Sequence, residues 1–186
     1  MAQRTHGVSG DFDLTMDELR VVARYVVRHA ESVLPVFEQA VSDDPRPHAA
    51  IDAAWVFING AARTNLQRVA SLNAHRAARS APTEVARLAA RSAGDAASAA
   101  YLHPIAQAAQ VGHILRAAAS VACIGQIEAG GDPTVADALL ERSRQWATPG
   151  LVDVLRRYPP ATTGTSRLAR LMSTLDQSLR QAADRS

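Results

Sequence analysis

Apolar positions recur at helical spacing along almost the whole chain. Leu19, Val22, Ala23, Val26, Val27 and Ala30 fall three and four apart, while Arg20, Arg24 and Arg28 line another face. Thr15 and Glu18 stand ahead of them as a capping box, so an amphipathic helix starts there. Ser32 before Val33-Leu34-Pro35 either caps a second short helix through Val41, or Pro35 kinks the first.

The next stretch, Asp44 to Gly60, predicts the helix that organises the rest. Asp44 suits the N-cap, Pro45 the first helical position, and Gly60 a left-handed C-terminal cap. Between those ends only His48 and Asp52 are clearly polar. A helix apolar on nearly all sides is expected to be buried on nearly all sides. This segment is therefore expected at the centre, with Asp52 drawn into the interior.

Thr64 and Gln67 form a second capping box, opening a helix to about Arg79. After a turn at Ser80–Thr83, a helix is expected from near Pro82 to Leu102. Pro104 is then expected to start a long helix, Ile105 to Ala129, stopped by Gly130-Gly131. Asp132-Pro133 and Thr148-Pro149 repeat the cap-and-proline device, for helices ending near Ala147 and Tyr158. A final amphipathic helix carries Leu168, Leu171, Met172, Leu175 and Leu179. No alternation of period two stands out. The pattern predicts an all-α fold: a single compact multi-helix bundle of roughly eight or nine helices, without a sheet. Its expected divisions are a flexible leader (1–12), a helical core domain (13–158), a linker (159–166), and a C-terminal helix (167–186) packed on the core or on a partner subunit.

Composition narrows the function classes. The 186 residues are 47% hydrophobic and 4% aromatic, with formal charge +2. All basic residues are arginine, which points to a high-GC bacterial coding sequence. One cysteine, Cys123, excludes an internal disulfide framework. With no signal-like N-terminus and no apolar run judged long enough to span a bilayer, a cytoplasmic protein without a membrane association is expected. Arg63, Arg68, Arg76, Arg79, Arg87 and Arg91 make a modest basic excess, but no nucleic-acid module accompanies them, and nucleic acid is not expected as a partner.

Candidate chemistry is sparse. His103, His113 and Cys123 are spaced too far around and along one helix to hold a metal together, so no metal and no cofactor are expected. His103, Gln107 and Gln110, with His113 beside them, would form a polar stripe on the helix after Pro104. That stripe lines a pocket or joins a buried network. Asp52, between His48 and Trp55, is either a structural ion pair or an acid/base or cation-binding group in a cavity. Arg46, between two prolines, either ties down Asp43 or Asp44 or binds an anion.

Asp44-Pro-Arg-Pro47, Ala50-Ile-Asp-Ala-Ala54, Trp55 and Gly60 resemble the signature of the bacterial putative immunity protein family, small Ala-rich all-helical proteins. Val33-Leu-Pro-Val-Phe-Glu38 before them fits the same pattern, as does the Ala-rich block with Ala89-Ala-Arg91 and Ala96-Ala97. The resemblance runs over about residues 30 to 120. His48 and the segment Tyr101-Leu-His-Pro104 depart from it, as in a divergent branch. It implies an immunity-like protein that neutralises a toxin, or sequesters a small molecule, by binding and without catalysis. The expected binding residues are Arg46, His48, Asp52, Trp55, His103, Gln107, Gln110 and His113, with a homodimer possible. The alternative is an enzyme of secondary metabolism whose helical cavity uses Asp52 or His113 for acid–base chemistry.

Overall fold

The computed structural model describes residues 8–183. Among them are eight α-helices: α1 (Met16–Ala40), α2 (Arg46–Ile58), α3 (Asn65–Ser80), α4 (Glu84–Ser98), α5 (Val111–Glu128), α6 (Pro133–Trp146), α7 (Pro149–Arg156) and α8 (Arg167–Ala183). The protein is all-α, and part of the expected leader, residues 1–7, lies outside the described residues. Val8–Ser9 (β1) pair antiparallel with Asp13–Leu14 (β2), a ribbon too short to form a layer.

Local signals set most helix ends. Thr15 and Glu18 satisfy each other's backbone N–H groups at the start of α1, and Thr64 and Gln67 do so at α3. Asp132 and Thr148 cap α6 and α7 ahead of their prolines. Helix α1 runs unbroken through Pro35, which lies on the exposed side, where the missing N–H leaves only a solvent-facing carbonyl unpaired.

The centre is α4, not α2. Nearly every residue from Ala86 to Ala97 is buried, and α4 packs against α1, α2, α3 and α5. Its alanines let neighbouring backbones come close. Helix α2 is instead one-sided. Pro47, Ala50, Ile51, Ala53, Ala54, Phe57 and Ile58 face inward, while His48, Ala49, Asp52, Val56 and Asn59 face water. The expectation of burial on nearly all sides failed because His48, Asp52 and Asn59, at i, i+4 and i+11, share one side of the helix and mark it as the wet one.

Residues 104–110 also differ from expectation. Ile105 does not begin a helix. The chain passes through an irregular segment and a 3-10 turn (Ala108–Gln110) before α5. Asp11 explains this: its N–H donates to the Pro104 carbonyl at 2.8 Å, and its carboxylate accepts from the Ala106 N–H at 2.7 Å. The Pro104 carbonyl, which a helix starting there would direct at residue 108, is thereby turned to Asp11 instead. The segment Ala108–Glu128 does reach the length and mean hydropathy (1.2) of a membrane span, contrary to the sequence expectation. Two-thirds of it (67%) is buried inside the protein, as in a core helix.

Helix α8 lies on α5, α6 and α7. Buried Asp176 accepts from the Ala161 N–H at 2.8 Å, and Arg180 donates to the carbonyls of Leu155 and Tyr158 at the end of α7.

Candidate functional site

The residues singled out in the sequence separate into two groups. The first lies along the wet edge of α2. Arg46 is turned back onto Asp44, whose carboxylate also accepts the Arg46 N–H at 3.1 Å, so Asp44 caps the helix from one residue further out than expected. His48 bonds Glu38 of α1 at 3.0 Å and lies 3.9 Å from Asp52. The bond from Glu38, then the charges of Asp52 and Glu38, raise the His48 pKa. Trp55 donates its indole N–H to Glu31 and lies under Arg24. The Asp52 side chain is 70% exposed. It stands in solvent, so the enclosed cavity that would have made it an acid/base group is not there.

The second group does not form a helical stripe. His103 and Gln107 sit exposed in the irregular segment before α5. The His103 N–H donates to the Gln110 side chain at 3.3 Å, and its carbonyl accepts from the Tyr158 hydroxyl at 2.9 Å. These contacts tie loop to core. His113 alone, on the first turn of α5, points toward a charged cluster that the sequence did not disclose.

That cluster is built on Asp95, fully buried in the last turn of α4. Arg116 of α5 grips it with two bonds, at 2.8 and 2.5 Å. Burial works against the Arg116 charge, and the Asp95 bond outweighs it. His75 of α3 lies 3.8 Å from the same carboxylate. It reaches that position because Gly94 has no side chain: a Cβ there would come within 2.8 Å of the imidazole. Burial lowers the pKa values of both His75 and His113; the Asp95 charge opposes this at each, and the neighbouring arginines add to it. A buried carboxylate held by arginine, with half-buried imidazoles at its border, fastens α3, α4 and α5 together. Among the described residues, no group of three His, Cys, Asp or Glu side chains is placed to hold a metal.

The surface of α2 and α3 carries a feature of another kind. Among the described residues, the exposed large apolar side chains are Val56, Leu66, Val69 and Leu72, each 43 to 50% exposed. All four lie on α2 and α3. Scattered exposed leucines are ordinary, but a contiguous set marks a contact surface. On α3, Val69, Leu72 and Arg76 fall within about 60° of one another on the outward side, with Arg68 and Arg79 beside them. No acid occurs between Asp52 and Glu84, whereas four arginines do. The sequence had registered the arginines but not the apolar residues between them. The acid-free span around Leu66, Val69 and Leu72 was the available signal.

Residues 13–146, which include α1 to α6 and so this whole surface, match the family model described as Imm-5 like putative immunity protein. No curated protein and no solved structure matches the chain significantly.

Proposed function

Because the chain belongs to the Imm-5 like putative immunity protein family, we propose that it neutralises a protein toxin by binding it, without catalysis, and that the outer face of α2 and α3 is the surface that binds. The observation that carries this reading is the exposure of Leu66, Val69 and Leu72 along α3 and of Val56 on α2, which packs against it. Apolar groups left in water on a folded helix stabilise nothing until a partner covers them, each then contributing roughly 25 cal/mol per Å² of apolar area removed from water. The polar edge of α2, with His48, Asp52 and Trp55, adjoins Val56 on the same helix and is suited to the rim of such a contact.

Growth rescue tests this reading. A host expressing the cognate toxin should survive when the wild-type chain is co-expressed. It should die with Leu66→Asp/Leu72→Asp, provided that variant melts cooperatively. Rescue by the double variant equal to wild type would remove the surface from the reading, and death with the wild-type chain would remove the reading itself.

A further inference from the structure

We infer that the partner meets α3 with an acidic face, carboxylates seated among Arg68, Arg76 and Arg79 and apolar side chains laid over Leu66, Val69 and Leu72. This rests on the toxin-binding reading and names the chemistry of the partner.

The argument begins with how arginines are used elsewhere in the protein. Arg20 pairs with Asp17, Arg46 with Asp44, Arg116 with Asp95, Arg144 with Glu141, Arg157 with Glu18 and Arg180 with Asp176. Arg63 is also engaged, donating to the Ala100 carbonyl at 3.1 Å and lying over the Tyr101 ring. Arg24 and Arg28 lie over tryptophan rings, and Arg142 and Arg170 also lack an ion pair among the described residues, but these are scattered over other helices, whereas Arg68, Arg76 and Arg79 share one helix, the ridge along the outer side of α3. Arg76 donates to the neutral Asn73 side chain. Arg68 and Arg79 have no carboxylate partner among the described residues. Helix α3 itself contains no acid. Three cations thus stand together with their matching charges missing, interleaved with apolar groups. A surface of that kind is complemented by carboxylates around an apolar centre.

Other occupants fit less well. Phosphate backbones would gain from the arginines but bury nothing against Leu66, Val69 and Leu72. A lipid surface favours aromatic anchors at the interface, and α3 has none. A second copy of this chain could offer the acidic edge of α1 and α2, but Glu31 and Glu38 there are already bonded to Trp55 and His48, which leaves chiefly Asp52 to face three arginines.

The test uses the full chain and the toxin whose killing it suppresses. Affinity is measured by calorimetry at 50 and 300 mM NaCl for wild type, Arg68→Glu/Arg79→Glu, and the control Arg142→Glu on the exposed side of α6, each checked for an unchanged melting temperature. The expected result is binding that weakens with salt for wild type and the control, and about tenfold or greater further loss for the double variant. Equal affinity of the double variant and the control overturns the inference while leaving the immunity reading standing. Failure of the wild-type chain to suppress killing overturns both. Two further measurements on the isolated chain can also overturn the inference. One is sedimentation as a dimer that Arg68→Glu/Arg79→Glu dissolves, which assigns the ridge to a second copy. The other is co-sedimentation with phosphatidylglycerol vesicles that the same variant abolishes, which assigns it to a lipid surface.

Discussion

Arg116 and Asp95 meet in a bidentate pair, Nε to Oδ2 at 2.8 Å and Nη2 to Oδ1 at 2.5 Å, across the contact between α5 and α4. The carboxylate is shut off from water, and among the described residues this guanidinium is its closest counter-charge, with His75 standing further off. Removing one member leaves the other charged and buried. Asp95→Asn should therefore destabilise the protein by about 3–5 kcal/mol. The double replacement Asp95→Leu/Arg116→Met should recover most of that loss, because neither charge then needs a partner. Urea unfolding of the wild type and both variants checks this. A double variant no more stable than Asp95→Asn would mean that packing, and not charge, dominates the site.

His29 makes the stability depend on pH. It is buried between Tyr25 and Trp146, with Nδ1 2.8 Å from the Tyr25 carbonyl and Nε2 3.0 Å from the Ser143 hydroxyl. Since a carbonyl only accepts, the neutral ring carries its proton on Nδ1. Burial lowers the His29 pKa to about 4. An unfolded histidine takes its proton near pH 6.5, so between those values the unfolded chain binds the extra proton. Stability should fall as pH drops from about 6.5 to about 4, by about 3 kcal/mol from this residue. His75 and His113 are shifted in the same direction and add to the loss. Exposed His48, with a raised pKa, acts oppositely and weakly: its contribution is present at low pH and fades as pH rises. Urea midpoints at pH 7.5 and 4.5 should differ more for wild type than for His29→Gln. Equal differences would place the acid sensitivity elsewhere.

Asp52→Ala should change stability by less than about 0.5 kcal/mol, since the side chain is solvated and its nearest cation, His48, is 3.9 Å away and exposed. A thermal melt shifted by several degrees would contradict the exposed placement.

Ser120 carries a buried hydroxyl with no hydrogen-bond partner among the described residues. Ser120→Ala removes an unpaired polar group while keeping the helix, and should raise stability by about 1 kcal/mol. A lower denaturant midpoint for that variant would show that the hydroxyl is satisfied in solution.

The features legible in the sequence were those set by neighbours in the chain. Thr15, Thr64, Asp132 and Thr148 cap the helices they were expected to cap, because capping uses residues two or three positions away. What failed depended on distant contacts. Ile105 reads as helical until Asp11, far away in sequence, takes up the backbone beside it. Asp52 and Asp95 look alike in sequence, each a lone acid among alanines, yet one stands in water and the other is sealed in. Their difference lies in whether an arginine on another helix comes within reach, and only for Asp95 does Arg116 do so. The ridge on α3 was half legible. Its arginines were noticed, but Leu66, Val69 and Leu72 could not be told from core residues by periodicity alone.

The bonds joining α8 to the end of α7 bear on how the protein would respond to proteolysis. Residues 162–166 are exposed and irregular, a natural place for a protease to cut. From beyond such a cut, Asp176 holds Ala161 and Arg180 holds Leu155 and Tyr158, all three on its near side. A nicked molecule would therefore run as two fragments under denaturing conditions, yet migrate as one intact particle when native.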